Sequence, residues 1–125
     1  MSVSEAYPER VLTLFQTTPG AGRGEAGVWY IGEAREPLSA THVRVHLQVD
    51  GGRISAVRYE VRGCPYTVAA TALVAQQWTH GALGAVSLAP RALLGELAAP
   101  VTKLGRMLVV QDAYCLALQA ARCKA

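Results

Sequence analysis

The sequence predicts an α+β fold: an N-terminal helix, a three-stranded antiparallel sheet, and C-terminal helices packed on one sheet face. Two observations carry this. Residues 42–50 alternate apolar and polar, the period of a half-buried strand, and Asp50-Gly51-Gly52 then turns the chain into a second alternating run over 53–62. After residue 64 the pattern changes to Ala-rich segments of helical period. A sheet with one wet face needs a cover over the dry one, and the helices supply it.

Each element has its own signal. Residues 7–16 read as a short helix: Pro8 suits a first turn, Glu9 suits the positive N-terminal end, and Val11, Leu12 and Phe15 share a face. Residues 17–27 hold four glycines and a proline and read as a mobile linker. They lack the spacing and the Lys-Ser/Thr ending of a phosphate-binding loop. Residues 28–31 form a short strand that Glu36-Pro37 closes off. In the next strand Val43, Val45, Leu47 and Val49 face the core, and Arg44, His46, Gln48 and Asp50 face water. In its partner, Val57, Tyr59 and Val61 oppose Arg58, Glu60 and Arg62. A helix over 65–79 carries Val68, Leu73, Val74 and Trp78, and His80-Gly81 stops it. A short helix lies within 87–98, and Pro100 interrupts it. A long helix then spans 103–122, with Leu104, Met107, Leu108, Tyr114, Cys115 and Leu118 near one stripe.

Composition narrows the function. A length of 125 residues fits one domain, 1–125. A 51% hydrophobic share excludes a disordered tail. Ten Arg and two Lys against nine acidic residues give a net charge of +3 with no basic run, which argues against a nucleic-acid or anionic-membrane surface. No apolar stretch is long enough to span a membrane. The first residues carry Glu5, Pro8 and Glu9 rather than an export signal. Three cysteines cannot complete a disulfide framework. A reducing cytoplasm is the expected setting.

Cys64 is the chemically informative residue. It follows Gly63 at a strand end, and Pro65 opens the next helix. A thiol there sits beside unpaired helix amides, which stabilise a thiolate. Thr67, Ala69, Ala70 and Thr71 keep that helix slim enough for close packing. Cys115 reads as core and Cys123 as a frayed end; neither has a C-x-x-C spacing for zinc. His42, His46 and His80 are scattered, with His46 solvated on the wet strand face. No Ser/His/Asp arrangement emerges, so an enzyme is not expected.

Taken together, these residues resemble a family. Arg62-Gly63-Cys64 leading into a small-residue helix resembles the second cysteine motif of the IscU/NifU N-terminal-like iron–sulfur scaffolds. Tyr7-x-Glu9-x-Val11-Leu12 resembles their opening helix. Glu96-Leu97-Ala98-x-Pro100-x-x-Lys103-Leu104, followed by Gln111-Asp112-Ala113, resembles the run from their chaperone-recognition motif into the last helix. The resemblance implies a cytoplasmic protein that takes sulfur from a cysteine desulfurase, combines it with iron, and passes on a [2Fe–2S] cluster. It also implies contact with an Hsp70-type chaperone, with Pro100 and Lys103 as candidate partner contacts. The family uses three cysteines helped by an aspartate or histidine.

The sequence departs from that pattern at the ligands. The first cysteine position is Thr41, the aspartate position Val43, and the histidine–cysteine pair Gly105 and Arg106. Cys64 remains, with His42 as a neighbouring nitrogen donor for metal. One thiolate and one imidazole leave two of four cluster positions empty, which a dimer sharing one cluster would fill. On a continuous helix Cys115 lies half a turn round from Arg106 and ~13 Å along the axis, too far to substitute. Thr41 and Arg106 therefore weigh against a bound cluster. The expected function is iron–sulfur cluster assembly as a scaffold-like protein working with a desulfurase; the alternatives are a single-cysteine sulfur acceptor similar to SufE and a cluster-incompetent interaction module of the same pathway.

Overall fold

A computed structural model describes residues 7–124. Residues 1–6, on which the expectation about an export signal partly rests, and residue 125 lie outside this range. The elements run α1 (Glu9–Thr17), β1 (Tyr30–Glu36), β2 (Thr41–Asp50), β3 (Arg53–Arg62), α2 (Pro65–Trp78), α3 (Pro90–Glu96) and α4 (Leu104–Lys124). Short 3₁₀ turns at Pro37–Ser39 and Val101–Lys103 join β1 to β2 and lead into α4. The strands form one antiparallel sheet in the order β1-β2-β3. Helices α2 and α4 cover one face of it, as the alternation requires, with α1 outside α2 and α3 against α4.

The hairpin carries an irregularity that period-2 reasoning does not show. Leu47 pairs with Val57 and Gln48 with Ala56, but Val49 pairs with Ile54, so Ser55 is an extra residue in β3. This bulge places Ile54 and Val57, three apart in sequence, on the same buried face. Ser55 Oγ donates to the Gln48 carbonyl at 3.1 Å.

Helix α2 is the centre of the molecule. Tyr66 to Ala75 are all buried, as is Trp78. Ala69, Ala70, Ala72 and Ala75 let the sheet, α1 and α4 approach it from different sides. Its buried threonine hydroxyl is satisfied locally, Thr71 Oγ1 donating to the Thr67 carbonyl at 2.8 Å. Tyr114 of α4 donates to the Thr71 carbonyl at 2.6 Å and sets its ring edge-on to Trp78 at 5.0 Å. The far end of α2 is tied back to the sheet. His80 N–H donates to the Ile54 carbonyl and Ile54 N–H to the Gly81 carbonyl, at 2.7 and 2.8 Å.

Four expectations are corrected. Strand β1 begins at Tyr30 and continues to Glu36, past the expected end at residue 31. The segment expected as a mobile linker is a strap bonded across the sheet. Gly22 N–H donates to the Tyr59 carbonyl at 2.8 Å, Tyr59 Oη to the Pro19 carbonyl at 2.9 Å, and Gln48 Nε2 to the Ala26 carbonyl at 3.1 Å. His46, expected in solvent, is 4% exposed, with its Nε2 3.3 Å from a Glu60 oxygen. Cys115, expected in the core, is exposed, as is Leu108. The buried face of α4 consists instead of Met107, Val110, Ala113, Tyr114, Ala117, Leu118 and Ala121, with Val109 beside them.

The small residues on that face serve a close crossing. A Cβ on Gly32 of β1 would lie 2.0 Å from the Ala113 carbonyl oxygen and 2.3 Å from the Ala117 nitrogen. Both are backbone atoms, which cannot rotate away. Gly32→Ala is expected to cost about 2 kcal/mol or more in urea unfolding. Gly84→Ala, where nothing lies within 4 Å, should stay within about 0.5 kcal/mol of the parent.

Candidate functional site

Cys64 stands where β3 hands over to α2. It is the residue before Pro65, in extended conformation, and half-buried. Pro65 lacks an N–H and favours a first helical turn, so the helix starts immediately after the thiol. Burial pushes the Cys64 thiol up. The Thr67 hydroxyl, the backbone amides of Thr67 and Tyr66, and the Lys103 charge act against it and outweigh it, so the thiol ends below its ordinary value. Thr67 Oγ1 is 3.5 Å from Sγ. The sum is a partly accessible sulfur that favours the thiolate, the form that attacks disulfide-type sulfur.

The surroundings hold that arrangement. Lys103 Nζ lies 6.0 Å from the centre of the Tyr66 ring, which meets Tyr7 edge-on at 5.1 Å. Gly63 is exposed, and a Cβ on it would come within 3.1 to 3.3 Å of the Thr67 side chain. A side chain there would make the Thr67 side chain give way by a few tenths of an ångström.

The positions where the resemblance implies ligands come to this end of the sheet, and none carries a metal donor. His42 pairs with Arg62 across the hairpin, so Thr41 lies beside the Gly63–Cys64 corner. Thr41 is 2% exposed and its hydroxyl is 2.7 Å from that of Ser39. Val43 is a fully buried core residue. The 3₁₀ turn beside it is capped by Glu36, whose carboxylate accepts from the Leu38 and Ser39 amides at 2.9 Å each. The Ser39 hydroxyl, these amides and the Arg106 charge hold the Glu36 carboxyl below its usual range. Arg106 itself has a buried Nε–H with no partner among the described residues.

His42 points to the other face of β2, alternate to Thr41, and is bonded to Glu33. Cys115 and Cys123 are exposed on α4; burial raises the Cys115 thiol, as does the nearby Asp112, against a smaller opposing effect of Arg122. No group of three or more His, Cys, Asp or Glu among the described residues is placed to hold a metal ion. The donor set therefore does not fit a cluster. Pro100 is exposed and Lys103 is half-buried at the start of α4.

No protein-family model and no curated protein matches the sequence. Solved structures do match. A protein assigned as an iron–sulfur cluster assembly scaffold for the SUF system, from the thermophilic Fervidobacterium islandicum AW-1, superposes with a TM-score of 0.71 at 14% identity, over 94% of this chain and 99% of that one. The chain has the fold of that protein. The N-terminal part of a nitrogen-fixing NifU-like protein from Brucella abortus gives 0.69 at 17% identity, over 94% and 95%. A hypothetical protein gives 0.58 at 15%, over 90% and 91%. The α+β architecture expected from the sequence, helix then sheet then covering helices, is thus the architecture of these proteins.

One group of residues escaped the sequence reading. Arg35, His42 and Arg62 are directly paired across β1, β2 and β3 on the face away from the helices. Arg35 lay beyond the expected end of β1, so the row was not visible as one. The alternation signal needed is present in 33–35, but it follows a glycine at residue 32 that interrupts the apolar pattern.

The two thiols should differ in reaction with iodoacetamide. Cys64 is expected to alkylate faster than Cys115 at any pH below its own midpoint, despite lower exposure, with a midpoint below the ordinary cysteine value. Lys103→Met and Thr67→Val should each move that midpoint upward, since each removes a group favouring the thiolate; mass spectrometry of digested protein over a pH series reads both effects.

Proposed function

We propose that this chain, residues 1–125 acting as one domain, belongs to the IscU/NifU-like group and works in iron–sulfur cluster assembly as a sulfur acceptor for a cysteine desulfurase. The observation that carries the proposal is the partly accessible Cys64 sulfur, more acidic than an ordinary thiol, at a corner where no group of three or more His, Cys, Asp or Glu among the described residues is placed to hold a metal ion. The fold shared with scaffold proteins supports the pathway. The donor set supports sulfur acceptance over cluster holding within it. A cluster on this chain alone would need ligands that Thr41 and Arg106 cannot supply.

The chemistry is a thiol–persulfide exchange. The Cys64 thiolate attacks the outer sulfur of a desulfurase persulfide. A new S–S bond forms at Cys64, the enzyme's S–S bond breaks, and the enzyme cysteine leaves as thiolate, with no net oxidation or reduction. Lys103 and the α2 amides, which favour the thiolate before attack, favour the persulfide anion afterwards for the same electrostatic reason. The sulfur is then available to the iron-bearing acceptor of the pathway.

The surface near the thiol suits a visiting protein. Leu38 is 98% exposed on its capped turn, and Val101, beside Pro100, is 67% exposed. We assign Lys103 and Pro100 as partner contacts, the latter for a chaperone of the Hsp70 type, and place the protein in the cytoplasm. No described helix is long and apolar enough to cross a membrane.

Incubation with an active cysteine desulfurase and L-cysteine should add the mass of one sulfur atom to Cys64, reversed by dithiothreitol. Cys64→Ser should abolish the adduct, and Cys115→Ser/Cys123→Ser should keep it. Anaerobic loading with iron and sulfide should leave the protein colourless. A brown product with visible absorption that survives gel filtration would overturn the acceptor reading in favour of a scaffold.

A further inference from the structure

The sheet face away from the helices has two halves. The strap covers one: Ala21 to Ala26 and Trp29 pack with Gln48, Ala56 and Arg58 around a shallow cavity. The other half, toward Cys64, is open and carries arginines that its carboxylates do not fully pair. Its last row is Arg35–His42–Arg62, three basic side chains directly opposite one another on adjacent strands. Arg35 and Arg62 thus flank His42 and set two arginine charges on one open row. The available carboxylates fall short. Glu33 bonds His42 and reaches Arg35 only at 4.0 Å. Glu36, in the wall of the same recess, is committed to the Leu38 and Ser39 amides. Glu60 is held by Arg23 at 2.9 Å and by His46.

Arg62 has no acidic partner among the described residues. Neither has Arg44 in the next row, although Glu33 and Glu60 flank it in register, and its Nε–H is buried without an acceptor. Two adjoining recesses, about 420 and 220 Å³, share His42 and Arg62 as walls.

We propose that this row, with Arg44 behind it, docks an acidic segment of a partner protein that visits the Cys64 end of the molecule. Charge complementarity selects the occupant. Arginine forks take carboxylates in bidentate pairs, and Arg35 and Arg62, two strands apart, are separated by about 10 Å at the backbone, a span that two acidic side chains of one extended peptide cover. A nucleic-acid strand fits poorly. No Phe, Tyr or Trp lines either recess for base stacking. Arg62 precedes Cys64 by two residues, so an acidic segment seated here brings its protein to the thiol. The proposal concerns recognition and holds whichever group Cys64 carries.

Fluorescence anisotropy with fluorescein-labelled octaglutamate tests it, on the full chain without desulfurase. Binding should be saturable and weaken with salt. Arg35→Gln/Arg62→Gln should weaken it about tenfold, whereas Arg91→Gln/Lys124→Gln, which removes the same charge elsewhere, should change it less than about twofold. If the first pair fails to fold, judged by thermal unfolding, Arg35→Lys/Arg62→Lys keeps the charge, loses the fork, and should still weaken binding more than the control pair does. No binding by the parent protein, equal loss in the row and control pairs, or tighter binding of a single-stranded oligonucleotide with the same dependence on the row would overturn the proposal. A bound peptide together with no sulfur on Cys64 would sink the acceptor reading and leave this one standing.

Discussion

The burial of helix α2 on nearly all sides governs the rest of the structure. A helix packed against the sheet, α1 and α4 at once cannot tilt or slide without opening several interfaces, and interiors at this density resist such change. Its Ala and Thr side chains make the packing close, and the Tyr114–Thr71 and Ile54–His80 hydrogen bonds fix its depth and its far end. The amides of its first turn therefore point in one fixed direction. Cys64 lies in that direction, and its acidity is a property of the whole core as much as of its immediate neighbours.

At the same corner the positions where the sequence resemblance implies ligands serve other tasks. Thr41 closes a hydroxyl pair with Ser39, Val43 fills the core, and Arg106 brings positive charge toward Glu36. These substitutions are mutually consistent. Thr41 and Val43 are satisfied by hydrogen bonding and packing, and neither they nor the Arg106 guanidinium offers a metal a ligand of the Cys, His or Asp kind. Beside them stands a nucleophile with a basic neighbour, Cys64 with Lys103.

Much of this was legible in the sequence because it is local. The hairpin is written in Val43 to Val61 and the Gly51-Gly52 turn; the thiol corner is written in Gly63-Cys64-Pro65. What was not legible depends on partners distant in the chain. The glycines of the strap suggested motion, yet the Gly22 amide and the Pro19 carbonyl are bonded to Tyr59, the Ala26 carbonyl to Gln48 and the Arg23 guanidinium to Glu60, which sequence spacing cannot announce. His46 is closed off as part of the same arrangement. The error at Cys115 has another cause. The larger apolar residues of α4 trace one stripe, but its true inner face is rich in alanine, whose small side chain contributes little to a hydrophobicity pattern while permitting the backbone crossing at Gly32. The site residues were found by their chemistry; the cationic row was missed because it exists only once three strands are in register.

Gly63 carries a consequence for how this protein can change over evolutionary time. Its φ is ordinary, so a small side chain there would not strain the backbone; what it would meet is Thr67, at little more than 3 Å. A methyl group would press on the hydroxyl that Sγ leans against and leave the sheet and helices where they are. Drift at this position would thus dull the nucleophile while the molecule still melted normally, so a thermal screen would pass variants that a reactivity screen rejects.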